Sequence, residues 1–143
     1  WYPFLSTTED LLLGRSSRLR CGSGYANYSI MTNGKIAPCP IMVGMADYYA
    51  GDIKTADPAH LTEIPIGEPC TSCDIYGFCG GRCLYSNIVR PWGDAYKEVC
   101  ATVRNLHDVL LCAAEEIRKM IDDGIISLEN FSHTRYNGCE IIP

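Results

Sequence analysis

The sequence has no apolar run near the roughly eighteen residues that a membrane-spanning helix requires, so we expect no membrane segment. It also has no low-complexity tract and no repeat of fixed period, which excludes solenoid and propeller architectures. Basic residues are in the minority, with 12 Lys and Arg against 17 Asp and Glu and a formal net charge of −5. A phosphate-binding face needs an excess of basic residues, so we expect no nucleic-acid partner.

A secretory signal is also missing from the sequence, since no charged segment is followed by an apolar core near the N-terminus. The nine cysteines are odd in number, and 143 residues exceed the usual length of a disulfide-stapled miniprotein. Both observations argue against a disulfide scaffold and favour a reducing, cytoplasmic location. With 47% hydrophobic and 20% charged residues, the composition is that of one ordinary globular domain.

What the sequence does contain is a constellation of seven cysteines. Their order is Cys21-x12-Gly34-x4-Cys39, then Cys70-x2-Cys73-x5-Cys79-x3-Cys83, and finally Cys100 after sixteen more residues. Thiolates select zinc, Cu(I) or iron–sulfur clusters, because polarizable sulfur prefers soft or borderline metals. Seven thiolates are too many for one tetrahedral ion and one fewer than the roughly eight that two four-iron clusters need.

The order and spacing of these cysteines resemble the SPASM domain, the auxiliary-cluster module at the C-terminus of many radical S-adenosylmethionine (radical SAM) enzymes that modify peptides and proteins. The resemblance includes Gly34, five residues before Cys39, and the pair Gly80-Gly81 that precedes Arg82 and Cys83. It implies three regions. These are a connector over 1–20 from a missing N-terminal radical SAM domain, the cluster domain over 21–100, and a C-terminal helix and tail over 101–143.

The resemblance implies two 4Fe-4S clusters with interleaved ligands. The second cluster would take Cys70, Cys73, Cys79 and Cys100, and the first would take Cys21, Cys39 and Cys83. The family often supplies a fourth ligand to the first cluster from a cysteine shortly before the position of Cys21, but residues 14–20 contain none. We expect an open iron position there, and the alternative is that Cys112 or Cys139 completes the first cluster.

The family's AdoMet-cleaving cluster uses a Cys-x3-Cys-x2-Cys run, and no such run occurs in this sequence. We therefore expect these residues to be a C-terminal piece of a larger enzyme, inactive alone, with S-adenosylmethionine bound only by the missing domain. The implied partners are that domain, a peptide or protein substrate, and an electron donor such as ferredoxin or flavodoxin. The second cluster would relay electrons, and the first would engage substrate or accept an electron.

Two other interpretations of the cysteines belong to different functional classes. Cys70, Cys73, Cys79 and Cys83 have spacings that a structural zinc module in an interaction protein would allow, although this leaves Cys21, Cys39 and Cys100 unexplained. Zinc is also expected to be able to occupy the same thiolates in recombinant protein. A free-standing ferredoxin-like carrier is disfavoured, because its compact Cys-x2-Cys-x2-Cys-x3-Cys-Pro run is absent.

The sequence predicts the α+β class, with a small β-hairpin, cysteine-rich loops and a long C-terminal helix. Asn33-Gly34 between 28–32 and 35–39 predicts a hairpin with a type I′ turn, and apolar residues at three- and four-residue steps predict a helix over about 94–123. Ser6 and Asp57 each suggest the start of a shorter helix, ending at Gly14 and Leu61 respectively.

We expect the aromatic residues of the connector to pack against the missing domain, and residues 125–143 to form a second turn or hairpin. The arginines at 15, 18 and 20 are interpreted as a solvated face, or alternatively as a docking site for a partner domain or an acidic leader peptide. His60 and His107 are not assigned to the site. We interpret His60 as solvated and His107 as a packing residue.

Overall fold

The computed structural model describes residues 2–90 and 96–132, so Asp94 and Cys139 lie outside the described residues. Of the turn or hairpin expected over 125–143, only 125–132 are described, and they contain a 3-10 turn at Leu128–Phe131. The described part is built from four α-helices and three short strands. In chain order these are α1 (Tyr2–Leu13), β1 (Ser29–Ile30), β2 (Lys35–Ala37), β3 (Gly51–Asp52), α2 (Tyr76–Cys79), α3 (Leu84–Val89) and α4 (Tyr96–Asp122). This combination confirms the α+β class and the long C-terminal helix.

The predicted hairpin is present, but its turn differs from the prediction. Strands β1 and β2 are antiparallel, with Ser29 opposite Ala37 and Ile30 opposite Ile36. Gly34 has φ of 85°, and its N–H donates to the carbonyl of Met31 at 2.9 Å. A type I′ turn would also require a positive φ at Asn33. Asn33 is not among the described non-glycine residues with positive φ. Four residues, 31–34, connect the two strands, and the last of them is a left-handed glycine.

A third strand, β3, extends the sheet in the order β1-β2-β3 and pairs antiparallel with β2. The rest of residues 41–69 is largely irregular, with two short 3-10 turns at Pro40–Met42 and Ala46–Tyr48. The prediction of a helix near 57–61 is wrong, since only a turn forms there. Asp57 does cap that turn, because its carboxylate accepts a hydrogen bond from the Ala59 N–H at 2.9 Å.

Helix α1 begins at Tyr2, so the prediction that Ser6 caps it is wrong. Ser6 lies inside the helix and is buried, as is Thr7, whose hydroxyl donates to the carbonyl of Phe4 at 3.2 Å. The predicted end is confirmed, since α1 stops at Leu13 and Gly14 follows with φ of 63°. Phe4 packs on a core within this chain rather than standing free for another domain.

Two hydrophobic cores hold the described elements together. The first core consists of the buried side chains of Leu19, Met42, Ile66 and Leu84. The second core consists of Phe78, Val103 and Leu110, with Phe4 and Leu11 of α1 packed against it. His107 completes this region by an edge-to-face contact with Phe78, their ring centroids 5.0 Å apart. Helix α4 is therefore fixed to both α1 and the cysteine-rich loop.

The three clustered arginines form ion pairs within the chain. Arg15 pairs with Glu9 at 3.3 Å and Arg18 with Glu63 at 2.8 Å, and both arginines are partly exposed. Arg20 differs, because its side chain is only 5% exposed and pairs with Asp10 of α1 at 2.9 Å. Arg20 also donates to the carbonyl of Phe78 at 3.3 Å. Arg20 thus links α1 to the cysteine-rich loop and is not part of a solvated face.

No helix within residues 2–90 and 96–132 combines the length and the apolar character needed to cross a membrane.

Candidate metal centre

Five of the seven constellation cysteines surround one cavity of about 440 Å³. The cavity lies between the loop that contains residues 69–83 and the first turns of α4. The cysteines that line it are Cys70, Cys73, Cys79, Cys83 and Cys100. Four of them are the ligands that the sequence predicts for the second cluster, and Cys100 joins the others from 17 or more residues further along the chain. Each of the five is partly buried.

The loop before Cys79 coils through successive turns that direct its cysteines toward the cavity. The Cys73 N–H donates to the carbonyl of Cys70 at 3.0 Å, and the Tyr76 N–H donates to that of Cys73 at 3.0 Å. The Cys79 N–H then donates to the carbonyl of Ile75 at 2.9 Å, which closes the single turn of α2. Cys100 lies in the second turn of α4, as predicted, so a rigid helix supports the fourth thiol.

Cys79 is close enough to Cys70, Cys73 and Cys100 for them to affect its pKa. Burial raises the pKa of the Cys79 thiol, and the neighbouring Cys70, Cys100 and Cys73 raise it further, while a hydrogen bond from the Gly81 backbone opposes these effects. Several thiolates in one partly buried space repel each other, which favours the neutral thiol until a cation compensates their charge. Metal binding here must therefore release protons, and affinity falls as pH is lowered.

A sharp reversal of the backbone separates Cys79 from Cys83. Gly80, Gly81 and Arg82 have φ of 64°, 85° and 53°, all in the left-handed region. Cys79 ends α2 and Cys83 precedes α3 in an extended conformation. The bend that the Gly-Gly pair predicts between these two cysteines is present. Because of this bend, Cys79 lies at the C-terminus of α2 and Cys83 lies just before the N-terminus of α3.

Close contact between chain segments explains why glycine is needed at 80. The Leu19 N–H donates to the carbonyl of Gly80 at 2.9 Å, so the segment before Cys21 runs directly beside the bend. A Cβ at position 80 would lie 2.7 Å from the Leu19 nitrogen. At Gly81, a Cβ would lie 2.9 Å from the side chain of Ile66, which belongs to the first core. The bend is therefore packed on both sides.

The three cysteines predicted for the first cluster are connected through the first core and through contacts of Gly24. The Gly24 N–H donates to the carbonyl of Pro38, the residue before Cys39, at 3.1 Å. A Cβ at Gly24 would come within 2.9 Å of the side chain of Leu84, the residue after Cys83. Cys21 and Cys39 both pack against the first core, of which Leu84 is a member. Only Cys83 also lines the cavity.

A buried amide fixes the segment that leads into the cysteine loop. The Asn87 side chain accepts a hydrogen bond from the Gly67 N–H at 2.8 Å and donates to the Gly67 carbonyl at 2.9 Å. Asn87 is only 6% exposed while Gly67 is exposed, so both bonds are partly shielded from water. This pair of bonds connects α3 to the stretch just before Cys70, which lies three residues after Gly67.

Replacing Asn87 with alanine is expected to lower the free energy of unfolding by about 2 kcal/mol, because two partly buried hydrogen bonds between α3 and Gly67 are lost. Denaturant unfolding of proteins with matched metal content measures the change. Asn105→Ala is the control, since Asn105 is exposed on α4 and its loss is expected to cost less than about 0.5 kcal/mol. Equal stability of the two variants would show that the Asn87 bridge contributes nothing.

The donor set and the size of the cavity are compatible with an iron–sulfur cluster. Within residues 2–90 and 96–132, no three His, Cys, Asp or Glu side chains converge on a point that could hold one metal ion. A zinc ion binds thiolates at about 2.3 Å, and these thiols line only part of a cavity of about 440 Å³. Arg82 also lines this cavity, and its buried Nε has no hydrogen-bond partner among the described residues. Anionic cluster sulfides would suit such a donor.

Cys112 is exposed on α4 and does not line the cavity. It follows Cys100 by twelve residues, a displacement of about 18 Å along a helix that rises ~1.5 Å per residue. Cys139, the other cysteine considered for the first cluster, lies outside the described residues.

Sequence reasoning missed one polar residue of the site, Arg104. Its Nη2 lies 3.2 Å from the Cys73 Sγ, and its two terminal nitrogens bind the carboxylate of Asp74 at 2.9 and 2.6 Å. The Arg104 guanidinium holds the pKa of Asp74 well below its usual range, and Asp74 raises the pKa of Arg104 in turn. The only signal in the sequence was the position of Arg104, one helical turn after Cys100.

No protein-family model matches the chain, and neither the curated proteins nor the solved structures include a match to it. The likeness to the SPASM domain therefore depends on the cysteine and glycine positions alone.

Proposed function

We propose that this chain holds two auxiliary 4Fe-4S clusters as the C-terminal part of a radical SAM enzyme that modifies a peptide or protein. The observation that carries the proposal is the cavity lined by Cys70, Cys73, Cys79 and Cys100. The motif assigned these four cysteines to one cluster from spacing alone, although Cys100 is distant in sequence from the other three. Their common position around one space is the arrangement that such a cluster needs.

The ligands of the first cluster are proposed to be Cys21, Cys39 and Cys83. The Gly24 contacts support this set, because Gly24 lies beside both the backbone of Pro38, next to Cys39, and the side chain of Leu84, next to Cys83. Cys83 lies at the junction of the two sites, since it lines the cavity while its neighbour Leu84 belongs to the first core. Iron–sulfur clusters supply one-electron transfer when bound, with a direction that their surroundings set.

The residues of this chain position the ligands and control their surroundings. The left-handed bend at 80–82 separates the two ligand sets, and the Asn87 amide fixes the approach to Cys70. The second core, with Phe78 and Val103, packs against one side of the cavity loop. Apolar side chains beside a bound metal group affect its reduction potential.

The partners and location follow from this chemistry. We propose that S-adenosylmethionine is bound by a separate radical SAM domain of the same enzyme, and that a peptide or protein is the substrate. Ferredoxin or flavodoxin would supply electrons. A reducing cytoplasm would keep the thiols available for iron, because oxidised cysteines cannot serve as thiolate ligands.

Reductive titration of the anaerobically reconstituted chain tests this proposal. We expect two one-electron centres per chain and no cleavage of S-adenosylmethionine, because this chain has no Cys-x3-Cys-x2-Cys run. A chain that takes up no electrons would contradict the proposal. Cleavage of S-adenosylmethionine by this chain alone would also contradict it.

A structural zinc module remains the second candidate. One observation favours it: Cys70, Cys73, Cys79 and Cys83 all line the same cavity. Zinc has no redox chemistry in proteins, so a zinc-loaded chain would be silent in the titration. That interpretation leaves Cys100 as a fifth cavity thiol and gives Cys21 and Cys39 no role.

The open-site hypothesis for the first cluster predicts the behaviour of Cys112→Ala. We expect this variant to keep its full iron and sulfide, because Cys112 is exposed and lies outside the cavity wall. Iron and acid-labile sulfide analysis after reconstitution measures the result. Loss of about half the iron would identify Cys112 as the fourth ligand of one of the two clusters.

A further inference from the structure

Arg104 lies directly against a cysteine of the second site. It follows Cys100 by one turn of α4, so both side chains lie on the same face of the helix. Its Nη2 is 3.2 Å from the Cys73 Sγ, a distance within hydrogen-bonding range for sulfur. Cys73 and Arg104 are 31 residues apart in the sequence, so the fold alone brings them together.

Asp74 fixes the orientation of this guanidinium. Nη1 of Arg104 donates to Oδ2 of Asp74 at 2.9 Å, and Nη2 donates to Oδ1 at 2.6 Å. A two-point contact of this kind restricts the planar group far more than a single bond does. Asp74 directly follows Cys73 in the chain. The residue that orients Arg104 is therefore the neighbour of the cysteine whose sulfur Arg104 contacts.

We propose that Arg104 is a positioning residue that raises the reduction potential of the second cluster by donating a hydrogen bond to the ligand sulfur of Cys73. This inference rests on the proposed function. A hydrogen bond and a positive charge at a ligand sulfur stabilise the reduced state, which carries one more negative charge. Arg104 lines the same cavity as the four thiols, so its hydrogen bond acts directly at the site. The Asp74 carboxylate, whose Oδ1 lies 3.5 Å from the Cys73 Sγ, offsets its charge.

The test is a redox titration, followed by electron paramagnetic resonance, of reconstituted Arg104→Met. The signal of the second cluster is identified as the one that Cys73→Ala removes. At a fixed potential we expect about a tenfold lower ratio of reduced to oxidised second cluster in Arg104→Met, equivalent to a fall of about 59 mV for one electron. Arg104→Lys keeps the charge but lacks the planar fork, so its shift is expected to be smaller.

Arg118→Met is the matched control. Arg118 lies on the same helix, fourteen residues further on or about 21 Å along the axis, and its side chain donates to the carbonyl of Leu12 at 3.0 Å. The control removes the same net charge without touching the cavity, and we expect the potential of its second cluster to match that of the unmodified protein.

The outcomes separate this inference from the proposed function. If the unmodified protein binds no iron–sulfur cluster, the proposed function fails, and this inference with it. If the clusters assemble and both Arg104→Met and Arg104→Lys titrate like Arg118→Met, the inference alone is overturned. If Arg104→Met does not assemble the second cluster, the reduction potential of that cluster in Arg104→Lys is the test. An unchanged potential overturns the inference, and a lowered potential supports it.

Discussion

Cys73→Ala is expected to remove about half of the iron and sulfide, corresponding to one of two four-iron clusters. Cys73 lines the cavity with Cys70, Cys79 and Cys100, and none of the cavity residues offers a spare thiol except Cys83, which the first site requires. The binding energy of a metal group held by folded ligands is also folding energy, so the unfolding midpoint should fall sharply. Iron and sulfide analysis together with anaerobic thermal unfolding measure both effects.

Cys112→Ala is the matched control for this experiment, since it removes an exposed thiol from α4 and leaves the cavity intact. Full iron, full sulfide and an unchanged unfolding midpoint in Cys73→Ala would show that Cys73 is not a ligand. The assignment of the second site would then be wrong.

Gly80→Ala is expected to lower the free energy of unfolding by about 3 to 4 kcal/mol. Part of the loss is the cost of a left-handed conformation for a residue with a Cβ, roughly 1 to 2 kcal/mol. The rest is overpacking, since that Cβ would lie 2.7 Å from the Leu19 nitrogen and 3.0 Å from the Arg18 carbonyl carbon. Both neighbours are backbone atoms, so no rotation of a side chain can relieve the overlap. Denaturant unfolding at matched iron content gives the value.

Gly14→Ala separates the two contributions. Gly14 has φ of 63°, nearly the same as the 64° of Gly80, but a Cβ there would have no atom within 4 Å. We expect Gly14→Ala to lower the free energy of unfolding only by the cost of the left-handed conformation, roughly 1 to 2 kcal/mol. If both variants lose the same amount, close packing between the bend and the segment before Cys21 does not contribute to stability.

Local spacing predicted the features that depend on neighbouring residues. The Cys-x2-Cys pair, the Gly-Gly bend and the apolar steps of α4 all follow from geometry within a few turns of backbone. The helix end at Gly14 and the hairpin around Gly34 belong to the same class. Each of these features is present in the fold.

Features that depend on tertiary contacts were missed or mistaken. Strand β3 has only two residues, too few for any periodic pattern, and forms because β2 offers it a partner. The sequence predicts that α1 starts at Ser6, a good capping residue, but Ser6 and Thr7 are buried within a helix that begins at Tyr2. The contact between Arg104 and Cys73 spans 31 residues and could not be found from spacing.

The central claim is tested most directly by counting iron, acid-labile sulfide and zinc per chain after anaerobic purification and reconstitution. The account predicts about eight iron and eight sulfide, as two four-iron clusters require. One zinc ion with no sulfide, persisting after reconstitution, would contradict it and would favour the structural zinc module.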